Sequence, residues 1–157
     1  MSFIAVVVTS LVVALIGGVL WARRRYLVVT VHGSSMAPTY HDGERLLALR
    51  NRRHGAPTRD TVVVVDLPRI EVDVASLGGP DRHVETPTTT TVHGRLIKRV
   101  AAVAGDPVPD DVISDRSHVP EGMVALRGDN ADASIDSRHY GLIHARHCLG
   151  TVRRRMG

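Results

Sequence analysis

Cysteine is nearly absent. A single Cys148 in 157 residues excludes an internal disulfide and a paired-cysteine zinc site, and it reads as a buried, inert thiol. Aromatic residues are as scarce, with one Phe, one Trp and three Tyr. Single-strand nucleic-acid binders interleave aromatics with basic residues so that bases can stack. No such face can be drawn here, so nucleic acid is not an expected partner. Nine histidines are present, but none lies in an H-E-x-x-H helix. His139, His144 and His147 are spaced H-x-x-x-x-H and H-x-x-H with no cysteine pair nearby, so no metal or other cofactor is expected. A G-x-S-x-G elbow is also missing around the serines at 34 and 35, which removes the local signature of a hydrolase using a histidine triad.

Charge is missing altogether from residues 3–21, F-I-A-V-V-V-T-S-L-V-V-A-L-I-G-G-V-L-W. As a helix this run would span roughly 28 Å, close to the hydrocarbon thickness of a bilayer. Trp21 and then Arg23, Arg24 and Arg25 supply an interfacial aromatic and a charged stop. A basic n-region and a small-x-small cleavage site, the marks of a removable leader, are not seen. Residues 1–22 are therefore expected to be a retained single-pass anchor, and 23–157 one domain large enough to bury a core. Twenty Lys and Arg against sixteen Asp and Glu leave a net charge of +4. The excess lies at Arg23–Arg25, Arg50–Arg53 and Arg153–Arg155, a distribution that suits an anionic lipid surface or nucleic acid equally well, and the scarcity of aromatics makes nucleic acid the weaker reading.

Beyond the anchor, Val28-Val29-Thr30-Val31 is a β-branched run that gives way to H-G-S-S-M-A-P-T-Y-H-D-G at 32–43. A strand ending in a tight corner of small residues can hold a serine hydroxyl clear of the backbone and aim N–H groups at whatever it attacks. By itself the corner reads as an ordinary Gly-Ser turn. Asp42-Gly43 makes a second turn, Arg45–Leu49 reads as a strand, and Thr61–Val65 as a strand buried on both faces. Residues 66–93 mix Pro, Gly, Asp and a threonine run and form a variable excursion, a β-ribbon or loop. Leu96–Val103 is a further strand, and its period of two places Leu96, Lys98 and Val100 on one face and Arg99 on the other. A lysine among aliphatics pays a desolvation cost when charged, so its pKa falls and it can serve as a neutral base. A lysine that merely snorkels to a strand edge is the alternative. Pro120-Glu121-Gly122 is a turn, Met123–Arg127 a strand, and Gly128-Asp129-Asn130 opens a polar loop.

Taken in order, G-S-S-M-A-P-T, D-G-E-R-L-L, R-D-T-V-V-V-V, R-L-I-K-R-V-A-A-V-A-G-D and G-D-N-A-D-A-S-I-D-S-R-H-Y-G resemble the conserved boxes of type I signal peptidases, the membrane-bound Ser/Lys peptidases of family S26. The resemblance runs from about Val28 to about Leu142. It implies a mainly β, antiparallel, partly barrel-like fold behind one transmembrane helix, and a serine endopeptidase that cleaves signal peptides from exported preproteins. By the same resemblance Ser35 is the nucleophile and its N–H an oxyanion donor, and Lys98 is the general base. Ser134 then orients the lysine amine, Asp136 and Arg138 form an ion pair bracing the last loop, and Asp129 supports it. Because Ser35 and Lys98 are far apart in sequence, such a dyad is assembled by the fold and not by a Ser-x-x-Lys helix.

The chain departs from the family pattern at four points. Gly33 stands where many members have a serine that donates to the oxyanion, Arg59 replaces the glycine before Asp60 and predicts a looser turn, and Ala131 and Ala133 replace an Arg and an Asn. The partners implied are signal peptides and the lipid bilayer. Orientation is where two arguments oppose each other: Arg23–Arg25 on the C-terminal flank favour a cytoplasmic domain, whereas the resemblance implies the extracytoplasmic face of the cell membrane, and the expectation follows the resemblance. Two rivals share part of this pattern, the self-cleaving repressors of the SOS response, which carry a DNA-binding helix-turn-helix where this chain has an apolar span, and a catalytically silent peptide-binding module on a membrane anchor. A peptidase dedicated to one or a few clients is a third reading.

Overall fold

The computed structural model describes residues 2–51, 57–73 and 89–157. Helix α1, Ser2–Arg25, extends about 36 Å at ~1.5 Å per residue, and the apolar window within the span Ala5–Arg25 has none of its residues buried inside the protein. By length and composition this helix is long and apolar enough to cross a bilayer. Its last turn carries Arg23, Arg24 and Arg25, where cations complement the helix dipole. The helix passes without a linker into β1, and the Trp21 and Tyr26 rings meet edge to face, 6.5 Å between centroids.

Beyond it the described residues build one antiparallel sheet of seven strands: β1 Tyr26–Thr30, β2 Arg45–Arg50, β3 Val62–Asp73, β4 Thr89–Val103, β5 Met123–Arg127, β6 Ile143–His144 and β7 Cys148–Met156. Their spatial order is β1-β2-β7-β3-β4-β5-β6. The mainly β, antiparallel class is as expected. The sheet is open, with β1 and β6 as its edges, and does not close into a barrel among the described residues. Register shifts within the β2–β7, β3–β4, β3–β7 and β4–β5 pairs bend and twist the sheet, as bulges do.

The β-branched run at 62–65 lies in the middle of this sheet, paired with β4 on one side and β7 on the other. Val63, Val64 and Val65 are wholly buried, since aliphatic side chains on both faces of a central strand pack against both layers. Val63 and Val65 join Val100, Val124, Leu126 and Ile143 in one core cluster, while Val64 joins Leu27, Val29, Leu46 and Ala48 in another. Cys148 belongs to the first cluster, and burial pushes its thiol up to about 11, consistent with an inert side chain.

Part of the 66–93 excursion is a β-ribbon. Asp66–Asp73 of β3 pairs with Thr89–Arg95 of β4, and residues 74–88 lie outside the described residues. The turn before β3 is closed rather than loose: the Thr61 N–H donates to the Thr58 carbonyl at 3.3 Å. Asp60, with φ of 64°, takes the left-handed conformation there, which Asp tolerates better than most residues.

Candidate active site

The loop between β1 and β2 is pinned at its base. Val31 N–H donates to the Glu44 carbonyl at 2.8 Å, Gly43 N–H donates to the Val31 carbonyl at 3.0 Å, and Gly33 N–H donates to the Asp42 carboxylate at 2.8 Å. Met36, almost fully buried, anchors the loop from within, leaving Ser34 exposed and Ser35 half-buried. The Ser34 carbonyl is turned into the loop and accepts from Ala37 N–H at 3.0 Å. Because a trans peptide is planar, the Ser35 N–H of that same unit points the opposite way, out of the loop. The Ser35 carbonyl accepts from Asn130 N–H at 3.0 Å, which ties the serine to the loop after β5.

Lys98 projects from β4 and is 3% exposed. Its amine donates to Ser134 Oγ at 2.7 Å, and Ser134 Oγ donates to Asp136 Oδ2 at 2.8 Å. Asp136, with no exposed surface, also accepts from Gly128 N–H at 2.8 Å and from Arg138 Nε and Nη2 at 2.9 and 2.7 Å. Burial works to raise the Asp136 carboxyl, but the Arg138, Gly128 and Ser134 donors outweigh it and hold the group below its ordinary value. Burial also pulls the Lys98 ammonium down to about 8, against the attraction of Asp136 and with help from Arg138. About a tenth of such a lysine is neutral at pH 7, against about one in three thousand for a free one.

The hydrogen-bond inventory decides where the lysine lone pair can go. Ser134 has one proton, given to the Asp136 carboxylate, so it can only accept from Lys98. The lone pair of neutral Lys98 is thus left for another hydroxyl. Among the described residues no hydrogen bond joins Lys98 to Ser35 itself. The two are brought to one corner by Gly128: a side-chain carbon there would stand 2.2 Å from Ser134 Oγ and 2.5 Å from the Ser35 carbonyl oxygen. Close backbone approach is what requires glycine at this position. Gly128→Ala should therefore cost about 1–3 kcal/mol by overpacking and, by moving Ser35 relative to Lys98, about a hundredfold in kcat. Urea melts and turnover measured side by side would check it.

A second brace lies beside the first. Arg99, on the opposite face of β4 from Lys98, donates from Nε and Nη2 to the two Asp129 oxygens at 2.7 Å each and from Nη1 to the Asp60 carbonyl at 2.8 Å. The Arg99 bond lowers the Asp129 pKa, burial opposes it, and a hydrogen bond from Thr39 lowers it further. Thr39 also receives Arg155, from the end of β7, at its carbonyl. The Arg155 guanidinium lies 5.2 Å from the centre of the Tyr40 ring and its Nε 3.3 Å from Glu44 Oε2. Of the last basic cluster, Arg153 and Arg154 are exposed, but Arg155 is turned onto the serine loop and is not a free lipid-facing charge. In the middle cluster Arg50 donates to the Tyr26 carbonyl, and Arg52 and Arg53 lie outside the described residues.

Comparison with known proteins decides the family. The family model described as signal peptidase, peptidase S26, matches residues 1–113 and 110–156. The chain belongs to the S26 signal peptidase family. Within it, the chain is 32% identical over 122 residues to mitochondrial inner membrane protease subunit 1 of Mus musculus, an alignment covering 74% of this chain and 60% of that protein. It is 29% identical over 157 residues to signal peptidase I of Bacillus licheniformis, covering 92% and 83%, and 32% identical over 134 residues to signal peptidase I of Bacillus amyloliquefaciens, covering 77% and 68%. The chain thus spans less than two thirds of the mouse relative.

The S26 pattern has its gaps filled locally here. Ala131–Ala133 forms a single 3-10 turn, and Arg138 reaches across to the Ala131 carbonyl at 3.3 Å. Several supporting residues carried no signal that sequence reasoning used. Arg99 was placed only by strand parity, opposite Lys98. Ser137, fully buried, accepts Leu126 N–H at 2.8 Å and so joins the last loop to β5. Thr39 and Arg155 meet from positions more than a hundred residues apart, which no local pattern records.

Proposed function

We propose that this S26 family member is a membrane-anchored serine endopeptidase that removes signal peptides from exported preproteins, with Ser35 as nucleophile and Lys98 as general base. The observation that carries the reading is the one-way hydrogen-bond chain from Lys98 through Ser134 to Asp136, which leaves the lone pair of a largely desolvated amine for the serine. Neutral Lys98 takes the Ser35 hydroxyl proton as Oγ attacks the scissile carbonyl. The outward Ser35 N–H steadies the oxyanion that forms. The Lys98 ammonium then gives its proton to the leaving amine as the C–N bond breaks. In the second half, water gives a proton to Lys98 as it attacks the ester carbonyl, and the Lys98 ammonium returns that proton to Ser35 Oγ as the ester C–O bond breaks and the new carboxyl end departs. Substrate would lie extended along the site by strand addition, with small side chains in two shallow subsites.

The domain works on the extracytoplasmic face, beside the membrane where preproteins emerge. Purified full-length protein in detergent should cleave a panel of signal peptides with small residues at the first and third positions before the scissile bond. Cleavage across the panel marks a general processing enzyme, and cleavage of one or two peptides marks a dedicated one. No cleavage of any peptide would overturn the assignment. External protease should degrade the domain on intact cells, and protection would reverse the orientation.

A further inference from the structure

The short helix α2, Ser137–Tyr140, is closed at its start by a reciprocal pair of bonds. The Asp136 side chain accepts from Arg138 N–H at 3.2 Å, and Asp136 N–H donates back to His139 Nδ1 at 3.3 Å. In the usual form of this arrangement the returning acceptor is Glu or Gln, which remains an acceptor throughout the neutral range. A histidine does not. Its Nδ1 accepts only in the neutral ring with the proton on Nε2.

The residue held in this way is the one that orders the catalytic lysine. Asp136 Oδ2 takes Gly128 N–H, Ser134 Oγ–H and Arg138 Nη2, and Oδ1 takes Arg138 Nε and N–H. Five donors fill a carboxylate that offers about four lone-pair sites. A protonated His139 would turn a donor toward the Asp136 N–H, itself a donor. Asp136 Oδ1 lies 4.0 Å from the ring nitrogen, and a shift that brought the two together would pull on a carboxylate whose acceptor sites are already filled.

The groups acting on the ring are Asp136 and Arg138 from its own segment and Lys98 from β4. From β5, residues 123–126 are uncharged and Arg127 is turned to Asp111. The cluster under Tyr140 contributes Val63, Val65 and Leu67 of β3 and Cys148. The Tyr140 phenol and Cys148 thiol are both pushed up by burial and stay neutral.

Resting on the Ser35/Lys98 reading above, we propose that His139 is a positioning residue for Lys98: its neutral imidazole holds the Asp136 main chain, and through Ser134 the lysine, in line, and protonation of the ring releases that line. The His139 side chain is 14% exposed. Desolvation holds it below its ordinary 6.5 and Arg138 and Lys98 act the same way, while the Asp136 charge and a backbone hydrogen bond with Asp136 work to raise it. The holding form is therefore the one present at neutral pH.

The pH profile of the full-length enzyme in detergent tests this, using a peptide substrate with no group titrating between about pH 4 and 8. In wild type, kcat/KM should fall about tenfold per pH unit below the Lys98 ionisation, with a further loss of about tenfold in all as His139 protonates. His139→Ala should lower kcat about tenfold at pH 8, a loss of the kind a misplaced catalytic group brings. His139→Gln, which keeps an acceptor but does not titrate, should restore most of that and fall only about tenfold per unit throughout. Parallel acid limbs in wild type and His139→Gln would overturn the role of His139 alone, whereas full activity in Lys98→Ala would overturn the Ser/Lys reading beneath it. A second readout needs no turnover: the Asp136 amide resonance should move with the His139 ring titration, and a flat amide would overturn the proposal even if the variants fail to fold.

Discussion

Lys98→Arg should lower kcat/KM by about a thousandfold or more between about pH 6 and 10, as much as Lys98→Ala, because a guanidinium stays protonated and cannot take the serine proton. The wild-type enzyme should gain activity with pH through an apparent ionisation near 8, the position to which burial brings the lysine. Stability supplies an independent reading with a definite sign. The folded-state pKa lies below the ordinary 10.5, so below pH 8 both states are protonated and the folded protein bears the full cost of a buried ammonium. Between about 8 and 10.5 the unfolded chain binds more protons, and wild-type stability rises with pH. Lys98→Met, close in length and apolar, should therefore be more stable than wild type by about 1–3 kcal/mol at pH 7, with the gap closing by pH 10.5. Urea melts at several pH values would show it. Wild-type turnover in Lys98→Arg would remove the lysine from the chemistry.

Ser35→Ala should abolish cleavage, a loss of at least about ten-thousandfold in kcat, while the domain keeps its melting behaviour. Ser35 is half-buried at a loop corner outside the core clusters, so removing its hydroxyl opens no cavity in the core. Ser34→Ala should stay within about 0.5 kcal/mol, or roughly twofold in rate, because the exposed Ser34 contributes its carbonyl to Ala37, which alanine supplies equally. Active-site titration with a serine-directed electrophile, together with peptide turnover, distinguishes the pair. An inactive Ser34→Ala beside an active Ser35→Ala would move the nucleophile by one residue.

Strand positions were readable because burial imposes a period. Val62–Val65 is a continuous apolar run and lies mid-sheet, and Arg45–Arg50 and Met123–Arg127 form strands at the places their hydrophobic patterns indicate. The same parity placed Lys98 with Val100 on the buried side of β4. Turns at Gly43, Gly105 and Gly122, all with positive φ, follow from the residue type that such backbone needs. The looser turn expected at Arg59-Asp60 failed for the same kind of reason: local geometry asked for one residue at positive φ, and Asp60 supplied it in place of glycine.

By itself, then, the sequence determined what is local: an apolar span long enough for a bilayer, the alternation of the strands, the glycine turns, and the ordered boxes that mark the S26 family. Only the tertiary structure decided what meets what. Ser35 follows β1 and Lys98 lies in β4, with β2, β7 and β3 between them in the sheet, and both reach the Gly128–Ser134 corner through contacts spanning tens of residues. Arg155 arrives at the serine loop from the last strand, and His139, one of nine histidines, is set apart by a single backbone N–H. Periodicity records which face a side chain takes. It carries no record of which distant face lies opposite, because strand order is fixed by the balance of burial and pairing over the whole sheet.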